Sequence, residues 1–404
     1  MDTGDARTMR LVHLSDIHLG FKQYERLTPA GINQREADVA LSFRRVIDKV
    51  IELKPDLVLI AGDVFHAVRP GNPAILHAYY QFSRLMQSLP DTTVVMVAGN
   101  HDSPRTRETG CILHLFAPLG ITVVEGEAKR LTFHELDLSI LAVPSRAQRT
   151  ALGPDPAAKY NILLFHEMIE GIIPRSASEL NRRPMGITQK ELGASQWDYV
   201  ALGHYHVYTQ IEPNAYYSGS IDYTGNSSWA ELAHDTAVKK GGKGIIEQDL
   251  STGAHTFHPI RPLRQLVDLP PLLGTGLSPA SIDEMIREAV DGVDGGIDDK
   301  IVRLVIRDVP RHILRELDHR ALREYSRRAL HFHLDTRRPE FVRRDAGQGA
   351  PGGRRPSLAE TVRDKLRSRV LTENIDRETL VELGLHYLRE ADLVAGPTEE
   401  DVLA

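Results

Sequence analysis

Cysteine is almost absent from this chain, since Cys111 is the only one among 404 residues. A single cysteine excludes an intramolecular disulfide and a thiolate metal cluster, and it favours a reducing compartment such as the cytoplasm. Long apolar runs are also missing, because no stretch approaches the ~20 residues that a transmembrane helix needs. We therefore expect no membrane span, and we expect any metal site to use nitrogen and oxygen ligands.

The formal net charge of -6 conceals an uneven distribution of charge. Residues 303–344 contain twelve arginines, four histidines and six carboxylates, so this segment carries a formal charge of +6 and the remainder -12. A basic block of this kind indicates contact with an anionic polymer. The alternative is that these arginines only cover solvated helix faces, and the sequence leaves both interpretations open.

Apolar strands alternate with amphipathic helices in the first half of the chain, which predicts a layered α/β domain. The clearest helix is predicted over 33–53, where Phe43, Val46, Ile47 and Val50 recur at helical spacing. A second helix is predicted to begin at Pro73, and a shorter helix is predicted over 110–119. Residues 131–143 predict a hairpin in a second sheet, and residues 216–260 predict short strands that close this domain in antiparallel fashion.

The remaining chain divides into smaller parts by composition. A proline-rich stretch at 261–273 marks a boundary, so the first domain is predicted over 9–265. A small α+β domain follows over 266–340, with Ser278 capping a helix, a strand at 301–306 and an arginine-dense helix at 313–329. Residues 341–357 are a flexible linker by composition. Two amphipathic helices at 358–371 and 377–391, within a segment over 358–396, have too little apolar surface to fold alone and are predicted to dock on a partner.

Five predicted strands end in residue types that bind metals. One histidine after a strand is more often a structural residue, but carboxylates, imidazoles and an amide after five strands point to a shared site. Functional groups gather where the strands of an α/β sheet end, so we expect these side chains to converge. The candidate ligands and their neighbours are Asp16, His18, Asp63, Asn100, His101, His166, His204 and His206.

This set of side chains suits a pair of divalent cations. Imidazoles, carboxylates and an amide oxygen form the mixed nitrogen and oxygen shell that Mn, Fe or Zn accept. Two cations about 3.5–4 Å apart need a bridging anionic ligand, and Asp63, on the middle strand, is the natural bridge. Such a pair lowers the pKa of a bridging water and stabilises the charge that develops on a phosphate.

The motifs resemble those of the calcineurin-like metallophosphoesterase superfamily. They are Asp16-x-His18, Gly62-Asp63-x-x-His66, Gly99-Asn100-His101-Asp102, His166 and Gly203-His204-x-His206. More narrowly, the chain resembles the SbcD-type nuclease, the bacterial counterpart of the nuclease subunit of the double-strand-break repair complex. The narrower match is carried by His66, by Ser103-Pro104 and by Tyr217-Ser218-Gly219-Ser220.

The resemblance implies a β-sandwich flanked by helices and a role for each motif residue. It implies two Mn²⁺ ions, one held by Asp16, His18, Asp63 and His206, and the other by Asp63, Asn100, His166 and His204. His101 is the implied general acid that protonates the leaving sugar oxygen. His66 is the implied residue that steadies the phosphate or its sugar.

The resemblance also implies a substrate and partners. Members of the SbcD group are 3′ to 5′ exonucleases on duplex DNA and endonucleases on single strands, and they act with a coiled-coil ATPase called SbcC. It implies a homodimer through helices of the nuclease domain, a DNA-facing cap over 266–340 and an ATPase-gripping helical pair over 358–396. The candidate DNA contacts in the cap are Arg311, Arg315, Arg323 and Arg327.

Two other functions remain as alternatives. A phosphoesterase acting on a small nucleotide or phosphomonoester has the same site chemistry, but it needs neither a basic second domain nor a docking tail. A non-catalytic scaffold that retained the fold is the other alternative, and it is expected to have lost ligands. No motif position of this chain lacks its ligand.

Overall fold

The computed structural model describes residues 8–104, 110–147, 153–172, 186–225, 227–238, 242–337, 358–368 and 376–395. The chain divides into two compact units, one over residues 1–339 and the other over 340–404. The predicted linker at 341–357 lies outside the described residues. Among the residues described, none of the helices combines the length and apolar character that crossing a bilayer requires.

The described strands and helices are numbered in chain order. The strands are β1 (Arg10–Leu14), β2 (Leu57–Ile60), β3 (Thr93–Val97), β4 (Thr122–Val124), β5 (Lys129–Phe133), β6 (Leu138–Val143), β7 (Tyr160–His166), β8 (Tyr199–Gly203), β9 (Thr209–Glu212), β10 (Ala215–Tyr217), β11 (Gly244–Asp249), β12 (His255–Pro259), β13 (Leu266–Asp268), β14 (Leu272–Leu273), β15 (Ile301–Arg307) and β16 (His331–Thr336). The helices are α1 (Gln34–Leu53), α2 (Asn72–Ser88), α3 (Gln189–Leu192), α4 (Ser228–Val238), α5 (Pro279–Asp291), α6 (Arg311–Arg315), α7 (His319–Arg328), α8 (Leu358–Ser368) and α9 (Arg377–Ala395).

The first sheet has the strand order β12-β11-β1-β2-β3-β4. Strands β1 to β4 are parallel, whereas β11 is antiparallel to both β1 and β12. Helices α1 and α2 cover one face of this sheet, where Phe43 and Phe82 pack in the same core as Val58 and Val94. The predicted α/β layering and the antiparallel closing strands are therefore confirmed.

The second sheet has the order β5-β6-β7-β8-β10-β9 and packs on the other face of the first. The predicted hairpin is its edge, because β5 and β6 pair in antiparallel fashion. Leu59 and Val95 of the first sheet share one core with Ile162 and Ala201 of the second. This sandwich brings the ends of β1, β2 and β3 towards those of β7 and β8.

A third, smaller sheet follows the sandwich. Strands β13 and β14 pair with successive parts of β15, and β16 pairs along its length, all in parallel. Helix α5 begins after the predicted cap Ser278 and buries Ile282, Ile286 and Val290 in the core of this sheet. Two strands, β13 and β14, lie in the stretch that composition marked only as a boundary.

Three local predictions are corrected by the structure. The helix predicted at 313–329 is two helices, α6 and α7, because Asp318 caps a new helix. The short helix predicted near residue 110 is a 3-10 helix over Ile112–Leu119. Helix α4 lies in a region predicted as strands. The sequence did not indicate this helix, because its buried residues are the polar Ser228, Glu231 and Asp235, which give no apolar periodicity.

Helices α8 and α9 form the described part of the second unit. Gly384 of α9 allows close packing, because a Cβ there would lie 2.5 Å from Leu366 Cδ1 of α8, closer than non-bonded carbon atoms approach. Val381 is buried within this pair, whereas Leu383 and Tyr387 are exposed. The two helices therefore pack on each other and still present apolar side chains.

Candidate metal centre

The candidate ligands lie at the ends of strands from both halves of the sandwich. Asp16 and His18 follow β1, Asp63 follows β2, and Asn100 follows β3 of the first sheet. The second sheet contributes His166 at the end of β7, and His204 and His206 just after β8. The structure thus brings together side chains that are up to 190 positions apart in the sequence.

The backbone at these strand ends is unusual. Asp16, His18 and Asp63 have φ values of 52°, 52° and 53°, and His204 has 100°. Residues other than glycine rarely adopt positive φ, and such strain concentrates at functional sites. Hydrogen bonds from Asp16 N to Gly62 O and from His18 N to Asp63 O, both 3.0 Å, hold the two loops together.

Four side chains form what we call the first metal cluster: Asp16, His18, Asp63 and His206. The Nε2 atoms of His18 and His206 are 3.1 Å apart, and His206 Nε2 is 3.7 Å from Asp16 Oδ1. His18 Nε2 is 4.0 Å from Asp16 Oδ1, and this is the longest of the three separations. Since Zn and similar cations bind such atoms at about 2.0–2.2 Å, this spread fits one cation.

The second metal cluster consists of Asp63, Asn100, His166 and His204. Asn100 Oδ1 is 3.1 Å from His166 Nε2 and 2.9 Å from His204 Nδ1. Asp63 Oδ2 is 3.5 Å from His166 Nε2 and 3.8 Å from His18 Nε2. A single carboxylate oxygen therefore faces both clusters, as a ligand that bridges two cations must.

Burial and neighbouring charges shift the pKa values of these groups, and the two effects oppose each other at Asp63 and His166. Burial alone would raise the pKa of the Asp63 carboxyl, but the His166 and His18 rings lower it well below its usual range. Burial lowers the pKa of His166, and the adjacent Asp63 more than offsets this and raises it to about 10. Burial and the neighbouring His206 lower the pKa of His18. Because a ligating imidazole must be neutral, a cation in the second cluster has to displace the His166 proton.

Two groups that sequence reasoning did not assign hold the ligands in place. Ser15 Oγ donates to Asp16 Oδ2 at 2.6 Å. The buried Asp102 carboxylate accepts from the backbone N–H groups of Val64, Phe65 and Gly99 at 3.0–3.1 Å, which ties the β2 loop to the β3 loop. Burial, together with the charge of nearby Asp63, raises the pKa of Asp102 to about 7.

His101 and His66 stand at the edge of the first cluster. His101 Nδ1–H donates to His66 O at 2.7 Å, which leaves Nε2 as the ring atom that can carry a transferable proton. The backbone N–H of His101 also donates to Asp63 Oδ1 at 2.8 Å. The two rings stack with centroids 5.3 Å apart. Burial and the neighbouring His101 lower the pKa of His66.

A carboxylate that the sequence analysis did not identify contacts His206 of the first cluster, at the ring nitrogen that faces away from the other ligands. Glu231 Oε1 accepts from His206 Nδ1 at 3.1 Å, and Glu231 Oε2 accepts from Lys243 Nζ at 2.9 Å. Glu231 belongs to helix α4, in a region predicted as strands, and Lys243 directly precedes β11. The only sequence signal for this residue is the spacing of Glu231 and Asp235, which stand four residues apart, as on one face of a helix.

The candidate DNA contacts are separate from the metal clusters. Arg311 and Arg315 lie on α6, and Arg323 and Arg327 lie on α7, beside the third sheet. All four side chains are exposed. Arg327 forms an ion pair with Glu324 one turn earlier on the same helix.

Comparisons with known proteins agree with the site. The family described as calcineurin-like phosphoesterase matches residues 9–208. The DNA double-strand break repair protein Mre11 of Methanococcus maripaludis is 28% identical over 254 residues, which cover 60% of this chain and 63% of that protein. The protein of the same name in Methanocaldococcus jannaschii is 27% identical over 252 residues, with the same two coverages.

A third relative extends the similarity less far. The Mre11 protein of Methanopyrus kandleri is 28% identical over 222 residues, which cover 50% of this chain and 46% of that protein. The chain thus spans less than two thirds of the length of these relatives. The matched region includes the motif residues from Asp16 to His206.

Proposed function

Residues 9–208 form a calcineurin-like phosphoesterase domain, and we propose that this chain is a dimetal-dependent DNA nuclease of the SbcD type that processes DNA ends in repair. The observation that carries the proposal is Asp63 Oδ2, which faces His18 at 3.8 Å and His166 at 3.5 Å and so joins two ligand clusters. The names of the archaeal relatives support DNA repair. The single cysteine supports a cytoplasmic location.

The ligand sets implied by the resemblance are the ones we propose for the two cations. Asp16, His18 and His206 would hold one cation, Asn100, His166 and His204 the other, and Asp63 both. Bound divalent cations, for which we propose Mn²⁺, would neutralise the phosphate and activate a water for in-line attack. Carboxylates, imidazoles and an amide oxygen are the ligand types that such cations accept.

His101 is the proposed general acid. Its Nδ1–H is committed to His66 O, so a proton carried on Nε2 is the one available to the leaving sugar oxygen. The bond from its backbone N–H to Asp63 Oδ1 fixes its position relative to the bridging carboxylate. His66, stacked on the same ring, is the proposed contact to the phosphate or its sugar.

We propose 3′ to 5′ exonuclease action on duplex DNA and endonuclease action on single strands. The cap over 266–340 would bind the DNA backbone through Arg311, Arg315, Arg323 and Arg327. Their exposure on α6 and α7 supports this role. The nuclease domain over 9–265 would form the catalytic part.

Two apolar surfaces support the proposed partners. Leu76 and Tyr80, one turn apart on α2, are 70% and 65% exposed, which favours a homodimer through the nuclease domain. Leu383 and Tyr387, one turn apart on α9, are 48% and 61% exposed. They favour docking of the segment 358–396 on an SbcC-type coiled-coil ATPase.

The experiment that tests this function compares the wild type with His101→Ala on linear duplex DNA with Mn²⁺. We expect the wild type to degrade the DNA. The variant should bind the same amount of Mn²⁺ but turn over about 10²–10⁴-fold more slowly, because it lacks the proton donor. His134→Ala, at an exposed histidine, is the matched control. Cleavage that persists after complete chelation would refute the dimetal mechanism, and full activity of His101→Ala would refute the general acid.

The alternative function is hydrolysis of a small nucleotide or phosphomonoester by the same clusters. The exposed arginines on α6 and α7 and the apolar face of α9 argue against it, since such a substrate requires neither surface. Turnover of a nucleotide monophosphate that exceeds DNA cleavage under the same conditions would favour this alternative.

A further inference from the structure

The residue behind the metal ligand His206 is a buried carboxylate. His206 Nδ1 lies 3.1 Å from Glu231 Oε1, and an ionised carboxylate can only accept, so Nδ1 carries the proton. The other ring nitrogen, Nε2, faces the first cluster, 3.7 Å from Asp16 Oδ1 and 3.1 Å from His18 Nε2. Glu231 therefore selects the tautomer and ring orientation in which His206 can bind a cation.

Glu231 is itself held by further partners. The backbone N–H of Gly225 donates to its Oε1 at 2.6 Å, and Lys243 Nζ donates to its Oε2 at 2.9 Å. A side chain at position 225 would collide with Glu231, which explains why a glycine stands there. With both oxygens engaged, the carboxylate has one orientation, and that orientation faces His206.

Lys243 fixes the same residue pair from the other side. It is 2% exposed, and its Nζ donates to the backbone O of His206 at 2.8 Å as well as to Glu231. Asp235, one turn after Glu231 on α4, is also 3.4 Å from Lys243 Nζ. A buried ammonium of this kind requires carboxylate partners, so Lys243 and Glu231 depend on each other.

The ligand His166 of the second cluster is held differently. Its Nδ1–H donates to the backbone O of Ala61 at 2.7 Å, a neutral acceptor. A carboxylate acceptor makes an imidazole a stronger metal ligand than a neutral acceptor does. Glu231 should consequently strengthen binding in the first cluster and leave the second unaffected.

We propose that Glu231 is a positioning residue for the first metal cluster, acting through His206, and that Lys243 locks Glu231 in place. The inference rests on the proposed two-metal site and concerns cation affinity. It adds to the ligand sets a supporting shell that runs from α4 to the strand β11.

The test is a calorimetric titration of the metal-free, full-length protein with Mn²⁺ alone. We expect two sites in the wild type. In Glu231→Gln, which keeps the shape and an acceptor oxygen, one site should weaken about 10–100-fold and the other should not change. The weakened site should be the one that His206→Asn removes. The matched control is Asp235→Asn, on the same helix and the same lysine, which should keep both affinities.

Glu231→Gln leaves the buried Lys243 with less negative charge around it, which could destabilise the fold. A second variant therefore separates the loss of the carboxylate from this destabilisation. Glu231→Gln combined with Lys243→Met removes both charges, and it should show the same selective loss. In ¹⁵N-histidine spectra of the metal-free protein, Glu231→Ala with Lys243→Met should lose the Nδ1–H tautomer of His206. Two wild-type sites with unchanged affinities in both Gln variants would overturn the role of Glu231. Fewer than two wild-type sites would overturn that role together with the proposed function.

Discussion

At the level of single residues, His13 shows how one buried side chain joins the two sheets. It lies on β1, and its ring nitrogens are 3.2 Å from Tyr199 Oη and 3.2 Å from Leu202 O, both on β8. The carbonyl can only accept, so Nε2 donates to it and the hydroxyl donates to Nδ1. The bond from Tyr199 needs the neutral ring, because Nδ1 can accept a hydrogen bond only when it carries no proton.

The titration of His13 predicts a loss of stability in acid. Burial lowers its pKa to about 3, below the ~6.5 of the unfolded chain. The unfolded state therefore binds the proton more tightly, and the contribution of His13 is intact above pH 6.5 and falls as the pH drops towards 3. In urea unfolding with a chelator, the stability difference between the wild type and His13→Gln should shrink by about 2 kcal/mol from pH 6.5 to pH 5.

The matched control for this measurement is His134→Gln, because His134 is exposed. The metal ligands titrate identically in both proteins and cancel in the difference. A stability difference between wild type and His13→Gln that does not vary with pH would show that His13 is not held neutral.

Gly99 is a second residue whose role is steric. A Cβ at this position would collide with the Asp63 carboxylate, although the backbone there does not require glycine. We expect Gly99→Ala to displace the bridging carboxylate and to weaken Mn²⁺ binding in both clusters by more than about tenfold. Calorimetric titration measures this, with Gly153→Ala as control because nothing lies near its Cβ. If the Gly99→Ala variant binds Mn²⁺ at both sites with wild-type affinity, Asp63 does not bridge the two cations.

At the level of elements, helices α6 and α7 carry the predicted contacts to DNA. Replacing Arg311, Arg315, Arg323 and Arg327 by Ala should reduce the salt slope of duplex binding by up to about 3–4, since each phosphate contact contributes about 0.9. The measurement is the binding constant as a function of salt concentration.

The control for the arginine variant changes the same charge elsewhere. Four exposed basic residues outside the third sheet serve for this, namely Arg44, Lys129, Lys159 and Lys190. Equal losses of slope in both variants would mean that net charge alone is responsible. An unchanged slope in the arginine variant would exclude α6 and α7 from the DNA contact.

Helix α1 has a second role that its apolar periodicity does not predict, because its polar side chains bind a distant loop. Arg35 is 1% exposed and donates to Asp222 Oδ1 at 2.7 Å, while Ser42 Oγ donates to Asp222 Oδ2 at 2.7 Å. Asp222 lies four residues after Ser218, in the loop that follows β10. The apolar face of α1 covers the first sheet, and its polar face holds the loop beyond His206 in place.

At the level of the whole molecule, the division into two units predicts separable activities. Removing residues 358–404 should abolish binding of the proposed ATPase partner, because α8 and α9 are lost. Metal-dependent cleavage of a small phosphodiester should remain, since both clusters lie in residues 1–339. Pull-down with a purified coiled-coil ATPase and a chromogenic phosphodiester assay measure the two effects.

A point variant of α9 complements the truncation. Leu383→Ser with Tyr387→Ser removes exposed apolar side chains without shortening the chain, and it should weaken ATPase binding in the same assay. Truncated protein that loses both activities would show that the tail stabilises the catalytic unit.

The sequence by itself determined the five strands that lead to the site, the two main helices and the candidate ligands. Apolar runs followed by Asp, Asn and His are local patterns, and β1, β2, β3, β7 and β8 end where these patterns predict. Helix α5 likewise begins after its Ser278 cap, because capping depends on neighbouring residues only.

Only the tertiary structure decided how these residues act together. The positive φ at Asp16 and Asp63, and the choice of Nε2 of His206 as the metal-facing nitrogen, depend on contacts between distant strands. Helix α4 escaped prediction because it buries Glu231 and Asp235 against Lys243, and a buried polar face leaves no apolar periodicity in the sequence. Its position was settled by the pairing of buried charges, which is a property of the folded chain and not of any local segment.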